Sequence, residues 1–158
     1  LVAEGAPIMV QSRQLGITLP FVGGNGMNSP RIFELARDHS DNLWVGSPWS
    51  LESSIPENKR FVAAYKKAYG ALPDQFAAQA YDAMYIAAEA MRKVKFAGKL
   101  DADRKALRDA LPAVQWNGAT GSFKFRQASG RDGKPAGYDA VQTAIVMVTK
   151  RNQYVIEK

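Results

Sequence analysis

Few side chains in this sequence could do chemistry. There is no cysteine, which excludes disulfides, thiolate metal sites and a cysteine nucleophile together. The one histidine, His39 in ARDHSDN, stands among polar residues at a predicted helix end, as a solvated or capping imidazole does. A Ser-His-Asp triad would have to be built around it, and no Gly-x-Ser-x-Gly turn is present. What remains is the stretch FVGGNGMNSP, Phe21 to Pro30, whose glycines permit close backbone approach ahead of a helix N-terminus. Free N–H groups there favour an anion or a polar ligand, and Asn25 both donates and accepts. Two nucleotide motifs fail at named positions. The dinucleotide fingerprint needs a third glycine where Ser29 stands, and Gly98-Lys99 and Gly133-Lys134 are followed by Leu100 and Pro135 rather than by the Ser or Thr of a P-loop. Taken alone, the loop is equally a tight strand-to-helix turn that uses Gly and Asn for their backbone angles.

The elements around it place this loop. With 158 residues and 46% hydrophobic content the chain is long enough to bury a core. No apolar run approaches the roughly 18 residues needed to cross a bilayer, and no signal segment opens the sequence. The net charge of +6 is spread over helices and turns among 15 acids, with no zinc-finger spacing, aromatic-basic strand or basic arm, so no nucleic-acid partner is expected. No cofactor or metal is expected either. A first helix with Ile8, Met9 and Leu15 as apolar positions ends at Gly16, a buried strand covers Thr18 to Val22, and Ser29 caps a helix that begins at Pro30. A second strand covers Asn42 to Trp49. Lys59 to Tyr69 is a helix closed by Gly70, and QFAAQAYDAMYIAAEAMRKVK is a helix with Ala77, Ala80, Tyr81, Met84, Ala88, Met91 and Val94 as its core stripe. Leu107, Ala110 and Leu111 face inward from a further short helix capped by Asp101 or Asp103. Strands follow: GATGSFKF with Phe123 and Phe125 on one face, Val141 to Val148, and YVI after a turn at Lys150 to Asn152. The alternation predicts an α/β fold with mainly parallel sheets and flanking helices, whose ligands bind beyond the carboxyl ends of strands, where GGNG and SPWS lie.

Order and spacing add a resemblance. QSRQLGITLPFVGGNGMNSP, then NLWVGSPWS, then NKRFVAAYKKAYGALPDQFAAQAYDAMYIAAEAMRKV, then TGSFKF, together resemble the carboxyl-terminal half of type I periplasmic binding proteins. The group is that of the branched-chain amino acid binding proteins serving ABC importers. The resemblance covers essentially the whole chain and implies two α/β lobes that close on a small-molecule solute. Residues 1–48 would belong to the second lobe, 49–145 to the first, and 146–158 would return to the second, in a truncated chain lacking its amino-terminal half. A periplasmic location without a signal peptide, delivery of solute to the permease subunits of an importer and no enzymatic activity are further implications, and dimerisation of such a fragment stays open.

Carried over residue by residue, the family's acidic position that pairs with the ligand ammonium falls on Asn25, with Gly26 and Met27 beside it in the loop. A neutral amide cannot offset a buried ammonium, so the implied ligand is a carboxylate, an aromatic acid or an amide without that charge. Phe76 matches a ligand-touching aromatic and is equally placed as a core residue near the hinge. Gln79 lies one helical turn on, facing cleft or solvent. Trp49, at the hinge crossing, would stack on a planar ligand or plug the hinge. Tyr81 and Asp82 are read as helix packing and local capping. Two other readings stay open on sequence: a phosphate- or nucleotide-dependent α/β enzyme using GGNG, and a ligand-sensing regulatory domain of the same fold.

Overall fold

Helix α1, Val2–Gln14, runs out at Leu15 and Gly16, where φ of 79° favours a glycine. Arg13 in its last turn donates to the carbonyls of Ile17 and Leu19 (2.7 and 2.9 Å) and lies over the Phe21 ring. It thereby clamps the connection into strand β1, Phe21–Gly23. The computed structural model describes residues 1–157. After β1 a single 3₁₀ turn, Asn25–Met27, leads into helix α2, Arg31–Ala36, and then strand β2, Leu43–Ser47. Helix α2 starts one residue later than its sequence suggests. Pro30 holds the cap position, and the Ser29 hydroxyl accepts from the Arg31 N–H (3.3 Å).

Helices α3, Pro56–Tyr69, and α4, Gln75–Arg92, come next, the first ended by Gly70 at φ 70° and the second capped by the Asp74 carboxylate, which accepts from the Ala77 N–H (2.9 Å). Helix α5, Leu100–Ala110, has Lys99 at its cap without a side-chain bond, and Asp103 instead accepts from the Ala97 N–H (2.7 Å). Strands β3, Gln115–Gly118, β4, Gly121–Ser129, and β5, Pro135–Gln142, form one antiparallel sheet. Strands β6, Ile145–Lys150, and β7, Gln153–Ile156, return to the first sheet, whose order is β1-β2-β6-β7. The apolar run from Val141 to Val148 is therefore two strands. It breaks at Thr143-Ala144, where the chain passes from one sheet to the other.

The α/β class is as expected, but strand directions differ from a mainly parallel arrangement. Among the described residues β1–β2 is the one parallel pair, and the other four pairs are antiparallel. Connection length explains four of the five pairs. Strands β1 and β2 are joined through helix α2, whereas β3 to β5, and β6 to β7 through Arg151-Asn152 at positive φ, follow one another through short turns; β2 and β6 pair antiparallel after the long excursion through α3 to β5. The four-stranded sheet is covered on one face, where Val2, Ala6 and Met9 of α1 and Ile32 and Ala36 of α2 pack on Leu43 and Val45. Its other face carries Val22 and Val146, 86% and 48% exposed.

The second packing unit joins α3, α4 and the meander. Trp49, Phe61, Ala78 and Ala119 form one cluster, and Ile86, Ala90 and Val114 another, with Phe123 and Phe125 against it. Helix α4 is rotated relative to the stripe expected from its apolar residues. Its buried line is Gln75, Ala78, Asp82, Ile86 and Ala90, while Met84 and Met91 are exposed. The rotation follows from what the polar residues bind. Asp82 accepts from the Trp116 indole (3.2 Å), the Ala119 N–H (2.9 Å), and the Thr120 N–H and hydroxyl (both 2.7 Å). One carboxylate thus organises the β3–β4 turn, as its reading as packing and capping implies. A Cβ on Gly118 would fall 2.0 Å from that carboxylate, so glycine is required there.

Replacing Asp82 strips four donors of their acceptor in a buried place. Asp82→Ala is expected to lower unfolding free energy by about 3 kcal/mol, and Asp82→Asn, which turns one acceptor into a donor, by a comparable amount. Urea denaturation midpoints check both.

Candidate functional site

The glycine loop is held from three directions. From below, the Met27 side chain fills the space beside Gly5 and Gly23, where added Cβ atoms would lie 2.4 and 2.8 Å from it. From the sheet, the Tyr154 hydroxyl donates to the Met27 carbonyl and receives the Ser29 N–H (3.3 Å). From α4, the Gln75 amide donates to the Asn25 carbonyl at 2.6 Å. Gln75 is fully buried, and its own carbonyl oxygen accepts from the Asn28 amide (3.2 Å) and the Ser47 hydroxyl (2.8 Å). Asn28 donates further to Ser47 Oγ (2.8 Å) and to the Trp49 carbonyl (2.9 Å). Asn28, Ser47 and Gln75 thus lock the loop, the end of β2 and the first turn of α4 into one polar cluster. Among the described residues no buried side-chain nitrogen or oxygen lacks a partner.

The six residues expected to touch a ligand are not equivalent in this arrangement. Asn25 is exposed, and its carbonyl lies against the first turn of α4, where Phe76 is 47% exposed. Gly26 is half-buried between them and the chain start, and Gln79 is half-buried one turn further along α4. These four border an open face. Met27 differs, because its side chain is packed into the core of α1 and the sheet and only its backbone faces the loop surface. Trp49 is 4% exposed and its indole N–H donates to Asn58 (2.6 Å), so its ring is packed inside in this arrangement. The residues that position the loop, Asn28, Ser47 and Gln75, carry no warning in sequence, since their partners lie 19 to 47 positions away.

No group of three or more His, Asp or Glu side chains suited to a metal occurs among the described residues.

Compared with known proteins, residues 2–144 match the family model described as periplasmic binding protein. The chain belongs to that family. A curated relative is the leucine-, isoleucine-, valine-, threonine- and alanine-binding protein of Pseudomonas aeruginosa, 28% identical over 118 residues, 75% of this chain and 30% of the relative. Among solved structures, a leucine binding protein from Thermotoga maritima superposes with a TM-score of 0.78 at 27% identity, covering 99% of this chain and 41% of that one. A branched-chain amino acid transporter substrate binding protein from Streptococcus pneumoniae, in complex with isoleucine, gives 0.75 at 26% identity with the same coverages. This periplasmic binding protein chain thus spans less than half the length of the relatives it matches. Those relatives are described as binding proteins, not as enzymes.

Tyr154, which ties β7 to the loop, has its phenol pushed up to about 12 by burial, with the Ser29 N–H acting weakly in the opposite direction. An ordinary phenol ionises near 10. Between these values the unfolded chain binds fewer protons than the folded one, so stability from the neutral hydroxyl is intact below about pH 10 and lost as pH rises through about 12. Subtracting the pH–stability curve of Tyr154→Phe from that of the parent is expected to isolate this high-pH loss, and spectrophotometric titration should show one tyrosine ionising last.

Proposed function

We propose that this chain is the solute-holding part of an extracytoplasmic binding protein that delivers a small organic solute to the permease of an ABC importer. The reading is supported by family membership and by the branched-chain amino acid relatives, one of which holds isoleucine. Residues 1–48 and 146–158 would form part of one lobe and 49–145 part of the other, with the solute between them. Closure is then a population shift whose size is set by the solute's preference for the closed form.

The observation that carries the solute class is Asn25. Its exposed side chain makes no hydrogen bond within the described residues, while its carbonyl is occupied by Gln75, so the free amide is what the loop offers a ligand. By resemblance an acid would pair with an ammonium at this position. Once the lobes enclose a ligand, an ammonium facing an amide lacks its counter-charge, and this costs several kcal/mol, on the order of its desolvation penalty. The solute is therefore a carboxylate, an aromatic acid or an amide without a free α-ammonium. Gly26 would contribute backbone contact, Phe76 an aromatic edge, and Gln79 a polar contact on α4.

Isothermal titration of the whole gene product with L-leucine, 4-methylpentanoate and benzoate tests this. The carboxylates are expected to bind in preference to leucine, and Asn25→Asp should reverse the order by about tenfold or more. Tight leucine binding that Asn25→Asp leaves unchanged would remove the basis of the reading.

A further inference from the structure

Beside the Asn28–Ser47–Gln75 cluster, with Asn28 and Gln75 in its wall, lies a cavity of about 500 Å³. It contains none of Asn25, Gly26, Phe76 or Gln79. One wall comes from α2 and the β6–β7 hairpin, the other from the segments at 49–52 and 72–75, so it sits where the two packing units meet. Its volume is in the range of small-molecule sites.

The chemistry of the lining is selective. Phe33, Leu51, Leu72, Pro73, Tyr154 and Ile156 make it largely apolar, and the Phe33 and Tyr154 rings stand together at 5.1 Å between centroids. The amides of Asn28 and Gln75 at its floor are spent on one another and on Ser47. The Tyr154 hydroxyl is spent on Met27. Glu52 and Asp74 are the cavity's two carboxylates, beside the neutral Ser50, Asn152 and Gln153, and no Lys, Arg or His lines it, although the chain has 21 Lys and Arg against 15 acids. Neither carboxylate is in an ion pair among the described residues. One oxygen of Asp74 caps α4, and the other has no hydrogen-bond partner among the described residues.

We propose that this cavity is a second binding site, for a small organic cation: a primary amine on an aromatic or branched apolar body. The apolar body would lie against Phe33, Tyr154 and Leu51, with the ammonium between Glu52 and Asp74. Face contact between cation and ring adds to the attraction of the carboxylates. Selectivity follows from charge, since an anion of equal shape meets two like charges and no counter-charge. The site is distinct in position from that of the solute proposed for the glycine loop and takes the opposite charge class.

The probe is 2-phenylethylamine, with 3-phenylpropionate as the anion of similar shape, titrated into the whole gene product and followed by amide chemical shifts. Saturable shifts are expected for the amine at Leu51, Leu72 and Tyr154, with none for the acid. The double variant Glu52→Gln/Asp74→Asn removes both charges while Asn still caps α4, and should bind the amine about tenfold more weakly. Should that variant fail to fold, Glu52→Gln alone, at an exposed position, is expected to weaken binding by a few-fold. The proposal is overturned by equal binding of amine and acid, by shifts that map outside the cavity, by no saturation in the millimolar range, or by undiminished binding to the charge-neutral variants. The amine is scored by shifts at Leu51, Leu72 and Tyr154 and the solute reading by the effect of Asn25→Asp on leucine and carboxylates, so failure of one reading is separable from failure of the other.

Discussion

Three short side chains, Asn28, Ser47 and Gln75, set the geometry on which the rest of the site depends. Each is almost fully buried, and each would cost free energy there if left unpaired. Paired, they leave the loop little choice of position. Among the described residues the Gln75 amide donates to one acceptor, the Asn25 carbonyl, and its oxygen accepts from two donors, Asn28 and Ser47. The cluster decides which atoms are consumed internally and which face outward. The Asn25 carbonyl is consumed, and its side chain makes no hydrogen bond among the described residues.

The same logic recurs at Asp82, where a buried carboxylate is kept in place by four donors from the β3–β4 turn. Helix α4 is therefore anchored on its inner face by two polar residues, Gln75 and Asp82, one at each of two structural junctions. Its apolar residues are displaced outward. Phe61, Tyr81, Tyr85 and Trp116 line up as a run of ring contacts at 4.9 to 5.0 Å, and Met84 stands beside it 71% exposed. Anchoring by polar groups fixes a helix rotation that apolar contact alone, which is non-directional, would leave loosely defined.

Much of this was legible in sequence where the signal is local. The end of α1 at Gly16, the closure of α3 by Gly70, the turn before β7 and the strand–loop–helix order around GGNG all follow from single residues with special backbone angles or caps. The family resemblance rested on the order of such segments. The failures are non-local. The stripe on α4 was misplaced because counting apolar residues cannot see that Asp82 has partners 34 to 38 positions away. The antiparallel pairing of β2 with β6 joins segments from opposite ends of the chain, which no local signal announces, and the run from Val141 to Val148 concealed a change of sheet. Met27 and Trp49 were expected at the ligand from where they stand in the chain, and the structure adds the packing partners of both, which no local signal shows. Nothing in the letters N, S and Q at positions 28, 47 and 75 announces a cluster.

The claim that the cluster acts as one unit is tested most directly by a double-mutant cycle on Asn28→Ala and Gln75→Ala, read by equilibrium unfolding. Partners in one buried network are expected to be coupled by about 1 to 3 kcal/mol, the double variant losing less than the sum of the singles. Losses that add to within about 0.5 kcal/mol would mean the two amides act independently, and the loop would then owe its position to other contacts.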